Sequence, residues 1–374
     1  MKHKVTASAA LLGMMIASPS LAEGTDFSAI LERINLPDGF TISIFAEMPK
    51  ARGIEVVKPN GTVFVGSRHG NVMSMIDVNR DGVADEVRVR GTDLNVPNSL
   101  ASQDSLLYIG LQDKIVQWPI PAEVDTDLPL APLLPILEGI DSGYLHGWHT
   151  IAFGPDRKLY VALGAPCNLC ETNDVNGRII RMNADGSDVE LVADGVRNSV
   201  GFDWHPVTGD LWFTDNGADG MGDDIPPDEL NRVSFLGEHF GFPFVGGNGI
   251  VHPGYEGADV PASMTSPEVE MQPHSANLGI HFYEGRSFPS KYRNDAFIAQ
   301  HGSWDRTEPV GYRIMRVMFD AEGNPTGKEV FADGWLDDGG FSYGRPVDIA
   351  ELPDGSLLIS DDFAGVIYRI SYDG

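Results

Sequence analysis

The sequence predicts an all-β fold, a six-bladed β-propeller of mostly four-stranded antiparallel blades, and three observations carry that prediction. A strand-turn-strand unit recurs along the chain at a spacing of about 45 to 55 residues, the period of propeller blades. The 43 glycines and 25 prolines, with few helical periods after Leu31, mark a turn-dense chain. The length of 374 residues exceeds that of a usual domain but suits a ring of blades, and no domain-sized linker interrupts it.

In chain order, residues 1–22 read as a secretory leader. Lys2 and Lys4 give a basic start, Ala7 to Ala17 an apolar stretch, and Ser20-Leu21-Ala22 an ending that suits signal peptidase. The mature chain is expected to begin at Glu23 and to form one propeller over 23–374. No later run approaches the roughly 20 apolar residues that span a bilayer, so the expected location is the periplasm or the medium.

The first two units are Gly53 to Gly66 and Val96 to Gly110. The third follows His146-Gly-Trp-His149, with strands Thr150 to Phe153 and Leu159 to Leu163 around a Gly-Pro-Asp turn whose proline and aspartate favour chain reversal. Three more run over Asn198 to Thr214, less regularly over Phe288 to Gln300, and over Arg345 to Ser360. Several continue into a further strand, as at Arg178-Ile-Ile-Arg-Met182 and Val366-Ile-Tyr-Arg-Ile370. The third unit is distinguished by a histidine at the mouth of its first strand.

Charge excludes some partners. With 26 basic against 54 acidic residues the net charge is −28, which repels nucleic acid and anionic membrane surfaces. Both cysteines lie in Gly164-Ala-Pro-Cys167-Asn-Leu-Cys170-Glu171. In an oxidising compartment their spacing reads as a local disulfide, with redox chemistry or metal binding as alternatives; Glu171 stands where a haem site needs histidine. Asp77, Asn79, Asp81 and Asp85 alternate around Gly82 like the front half of a calcium loop. Arg88 replaces the closing glutamate, and a plain polar hairpin end is the other reading.

Several motifs in consistent order resemble the superfamily of soluble PQQ-dependent sugar dehydrogenases, the glucose, aldose and sorbosone enzymes. The resemblance runs from about Leu36 to Tyr372. It looks closest to the L-sorbosone dehydrogenase-like branch through His146-Gly-Trp-His149, Gly164 to Cys170, Gly195-Val-Arg-Asn198, Thr214-Asp-Asn-Gly217, Asp228-Glu-Leu-Asn231 and Gln300-His-Gly-Ser-Trp304. It implies a propeller that holds PQQ over its axis and oxidises a sugar CH–OH by hydride transfer, with His146, eight residues before the Gly-Pro turn, as base. PQQ carries three carboxylates, which call for arginine and amide donors. The resemblance assigns Arg197, Asn198, Asn216 and Arg345 to this task, with His301 and Trp304 as further contacts. It also implies a calcium ion on the backbone carbonyls of Gly217 and Ala218.

Three departures stand out. Arg345-Pro-Val-Asp348 keeps the first arginine of a family pair and loses the second. Ala165 replaces an aspartate that assists the catalytic histidine, and a lysine expected near Gln300 to Trp304 is missing, for which His149, His301 and Trp304 are substitutes. Trp148 and Trp304 are stacking planes or rim aromatics; Asp223, Asp224, Glu229 and Asn231 are extra calcium ligands or an acidic loop. The expected partners are a small sugar and an external electron acceptor, a cytochrome or quinone. A calcium-dependent lactonase-like hydrolase and a non-catalytic sugar-binding propeller remain the alternatives.

Overall fold

The computed structural model describes residues 27–120, 132–140, 143–261 and 263–374; the leader expected over 1–22 lies outside them. Six sheets form the blades. Blade 1 comprises Ala51–Val57, Thr62–Ser67, Val72–Ile76 and Glu86–Gly91, and blade 2 Ser99–Gln103, Leu106–Gly110, Lys114–Pro119 and Leu134–Glu138. Blade 3 runs through Ile151–Phe153, Leu159–Leu163, Arg178–Met182 and Glu190–Asp194, and takes Glu238–His239 as a fifth, parallel strand. Blade 4 is Gly201–Trp204, Leu211–Asp215, Glu229–Val233 and Val269–Glu270. Blade 5 is Asn277–Phe282, Ala296–Gln300, Arg313–Phe319 and Pro325–Ala332.

Blade 6 closes the ring. Its first three strands, Pro346–Glu351, Leu357–Asp361 and Val366–Tyr372, come from the C-terminal end, and its outermost strand is Phe40–Glu47, paired antiparallel with Val366–Tyr372. Phe40 anchors this closure. Its ring meets Phe288, Tyr292, Phe331 and Tyr372 edge-on at centroid distances of 4.7, 5.2, 5.1 and 4.9 Å, a geometry that favours the aromatic quadrupoles. Phe40→Leu is expected to lower unfolding free energy by roughly 1–3 kcal/mol in urea titration while leaving the far-ultraviolet spectrum unchanged; an unshifted midpoint would show that this cluster does not hold the ring.

The strand units match the sequence reading with one correction. In blade 5 the inner strand is Asn277–Phe282, earlier than the unit expected from Phe288, which lies in the connection to the second strand. The inner strand hides its alternation behind Gly279 and His281. A Cβ at Gly279 would collide with Asp348 of the neighbouring inner strand, so close approach near the axis requires glycine there.

The topology places the functional edge. In every blade the start of the first strand, the end of the second, and the loop from second to third strand share one rim, because consecutive strands are antiparallel. The Cys167–Cys170 segment, the segment from Asn216 to Asp228, and His301 to Tyr312 are loops of that kind. The Asp77 to Asp85 loop joins a third strand to a fourth and so lies at the opposite rim.

Candidate active site

A cavity of about 530 Å³ opens on that rim and brings together residues from the edges of four blades, the first, third, fourth and fifth, among them His146, Arg197, Asn198, Gly217, His301 and Trp304. Three arginines line it: Arg52 and Arg68 on one side and Arg197 on the other. The same lining holds Asp219, Asp228 and Asp305, so arginine donors and carboxylates face one polar, partly apolar hollow of the size that takes a small-molecule guest.

His146 ends a short helix, Gly143–His146, directly before the inner strand of blade 3. Only 9% of it is exposed. Its Nδ1 donates to the backbone carbonyl of Ala165 at 2.7 Å; a carbonyl can only accept, so the proton sits on Nδ1 and the Nε2 of the neutral ring keeps its lone pair. Thus the backbone of Ala165 does the orienting that an aspartate side chain at this position would do. Burial, and then the charge of Arg197, lower the imidazole pKa to about 4, against a smaller opposing effect of the Ala165 hydrogen bond. Gly164 makes the seat possible, since a Cβ there would stand 2.6 Å from both Cβ and the carbonyl oxygen of His146.

Arg197 is buried and fully engaged. Its guanidinium donates to the backbone carbonyl of Asn168 (3.0 Å), to Asn168 Oδ1 (2.7 Å), to the carbonyl of Asn216 (3.0 Å) and to Asp219 Oδ2 (3.1 Å). Asp215 fixes the Arg197-Asn198 pair from below by accepting both backbone N–H groups. The side-chain amide of Asn198 makes no hydrogen bond among the described residues and lines the cavity. Cys167 and Cys170 form a disulfide with Cα atoms 6.1 Å apart, as the spacing suggested. Its loop presents Asn168, which also accepts from the Asp219 backbone N–H at 2.8 Å, tying the disulfide loop to the Asn216 turn. Asn168 was not singled out from the sequence; its only signal was its place inside the cysteine loop.

In the Asn216 to Asp219 turn, the N–H of Gly217 donates to Asp228 at 2.9 Å, while the carbonyls of Gly217 and Ala218 accept no hydrogen bond among the described residues. Gly217 and Asn216 line the cavity, and Ala218 lies buried behind them. Burial raises the carboxyl pKa values of Asp215, Asp228 and Glu229. Asp223 and Asp224 hold Arg306 of the facing loop, and Glu229 accepts from Asn231 and from the Gly247 N–H; none of the four lines the cavity.

The opposite wall centres on Asp362, which the sequence reading missed. This buried carboxylate meets Arg52 at 3.2 Å, Arg68 at 3.1 Å and His301 Nε2 at 2.8 Å. Arg52 is buried and also bonds Asn98, whereas the Arg68 side chain is 38% exposed, with its guanidinium 4.5 Å from the centre of the Trp148 ring. Trp148 is therefore a platform for arginine. Trp304, 78% exposed, stands on the rim. Arg345 does not line the cavity: it sits over the Tyr312 ring and donates to the Tyr312 hydroxyl at 3.0 Å, bracing the segment behind His301. His149 is fully buried, its ring nitrogens facing the carbonyls of Ala162 and Gln112, and is absent from the wall.

At the opposite rim, Asp77, Asp81 and Asp85 accept backbone N–H groups of their own turn, Asp77 from Gly82 and Asp85 from Val78 and Asn79. With Asn79 they shape a tight polar hairpin end whose carboxylates cap the backbone.

Residues 255–373 match the TrAA12-like family model. A protein of Borreliella burgdorferi, described as uncharacterized, is 35% identical over 357 residues, covering 92% of this chain and 92% of that protein. Among solved structures, the holo PQQ domain of pyranose dehydrogenase from Coprinopsis cinerea aligns with a TM-score of 0.75 at 17% identity, over 90% of this chain and 97% of that one. The calcium structure of a Trichoderma reesei carbohydrate-active enzyme of family AA12 aligns with a TM-score of 0.77 at 19% identity, over 91% and 97%. The PQQ-bound aldose sugar dehydrogenase of Streptomyces coelicolor gives a TM-score of 0.64 at 18% identity, over 90% and 99%. These structural likenesses are likenesses of fold.

Proposed function

We propose that the chain is a member of the superfamily of PQQ-dependent sugar dehydrogenases, an exported quinoprotein oxidising an aldose, sorbosone or related sugar, with His146 as the base. One observation carries the reading: a buried imidazole whose proton is pinned to Nδ1 by the Ala165 carbonyl, in the wall of a cavity bearing three arginines. When bound, PQQ supplies the hydride acceptor for this chemistry.

The residues present fit such a guest. Arg68 and the Asn198 amide are the donors with hydrogen-bonding capacity turned to the cavity, and His301 and Trp304 flank them. Arg197 acts one step back: it holds Asn216 and Asp219 in place instead of reaching forward. The uncommitted carbonyls of Gly217 and Ala218 suit a hard cation such as calcium. His146 Nε2 receives the hydroxyl proton of the sugar as the C–H bond gives up its hydride, so the substrate leaves as a carbonyl compound two electrons more oxidised. The disulfide supports an oxidising compartment, in keeping with export.

Reconstitution tests the reading. Chelator-treated protein given PQQ and calcium is expected to develop a bound-quinone absorbance and to reduce an electron-accepting dye with an aldose or with sorbosone. Failure to bind PQQ would remove the proposal, and lactone hydrolysis or sugar binding without quinone would replace it with the hydrolase or lectin-like alternative.

A further inference from the structure

We propose that Asp219, His274 and Asp305 form a divalent transition-metal site in the cavity wall, on side chains and apart from the carbonyl pair of Gly217 and Ala218. Nitrogen and carboxylate ligand atoms of the three lie within 4.8 Å of one another, the one such grouping of histidine, cysteine, aspartate and glutamate among the described residues. All three residues line the cavity.

The hydrogen bonds around the trio leave its lone pairs pointing inward. His274 Nε2 donates to the carbonyl of Gly222 at 2.8 Å, which places the proton of the neutral ring there. Its Nδ1 then offers a lone pair to Asp219 Oδ1, 3.6 Å away. The facing Nδ1 and Oδ1 call for a positive charge between them, a second proton on the ring or a metal ion, and Asp305 beside them adds the third ligand that a metal ion uses and a proton does not. The His274 side chain is only 4% exposed, so water does not readily serve. Arg197 occupies the other oxygen of Asp219, and the N–H of Gly220 occupies Oδ2 of Asp305, so each carboxylate keeps an oxygen for the ion.

Spacing and ligand type fit a first-row ion. Ligands at about 2.0 Å in tetrahedral arrangement lie about 3.3 Å apart, close to the separation of Nδ1 and Oδ1. Asp305 is exposed and can close the remaining gap by side-chain rotation. A histidine nitrogen with two carboxylates suits zinc or manganese, whereas calcium prefers oxygen alone. The outer contacts to Gly222, Gly220 and Arg197 are those that orient metal ligands.

The test uses the full chain after chelation, without quinone, so it stands or falls apart from the dehydrogenase reading. Calorimetric titration with Zn²⁺ is expected to show one site, weakened at least about 10-fold in His274→Ala and in Asp305→Asn, and Ca²⁺ in equal amount should not displace the zinc. Asp305→Asn guards against a folding artefact because the residue is exposed. Unchanged zinc affinity in both variants, absence of zinc binding, or displacement by equimolar calcium would each overturn the proposal.

Discussion

His146→Ala is expected to lower kcat by about 10²- to 10⁴-fold at saturating PQQ and calcium, with cofactor affinity and melting temperature near those of the parent. The ring lines the cavity and makes one hydrogen bond, from Nδ1 to the Ala165 carbonyl, so its removal takes away the proton acceptor together with that bond. The pH dependence sharpens the test. With the imidazole pKa lowered from 6.5 to about 4, the neutral, accepting ring prevails at neutral pH and is lost only as acid protonates it. The acid limb of kcat/KM should therefore lie below 6.5, displaced toward about 4, and should vanish from the residual activity of the variant. Near-wild-type turnover would transfer the role to His301, which Asp362 holds at 2.8 Å in the same cavity.

Asp362→Ala should cost about 3–5 kcal/mol of unfolding free energy, because it strands the buried Arg52 guanidinium without its counter-charge. It should also weaken PQQ binding by freeing Arg68 and His301 from their common anchor. Burial pushes the Asp362 carboxyl pKa upward, but His301, Arg52 and Arg68 together hold it well below the usual carboxylate range. A folded-state pKa below the unfolded value, about 3.9, means that the stabilisation is present above that pH and is lost as pH falls through and below it. Urea titrations at pH 7 and pH 3 should differ less for the variant than for the parent. Equal stability of the two proteins at pH 7 would show that Asp362 is not the keystone of this wall.

The six-bladed ring was legible because strand alternation and turn chemistry are local, and because the same hairpin returns along the chain. The position of His146 followed from that pattern: a residue just before an inner strand lies on the rim where guests enter. The disulfide was legible too, since a three-residue spacing leaves the pair little else to do in an oxidising setting. Arg197 was found as a residue, but its engagement was not, because a sequence does not say whether an arginine faces a guest or braces a turn. Reading every second-strand end as a rim position would have flagged Arg68 and Asp362, which follow Ser67 and Asp361, the last residues of such strands.

The sequence by itself determined the blade hairpins, the edge bearing His146 and the cysteine loop, all products of neighbours along the chain. Only the tertiary structure decided that Phe40–Glu47 closes the ring on Val366–Tyr372, that Asp362 gathers Arg52, Arg68 and His301, and that Arg345 turns away to Tyr312. The reason is physical. A buried ion pair or an aromatic lock gains its energy from desolvation and from partners on other blades, as far apart as Arg52 and Asp362, and neither quantity exists until the ring has closed.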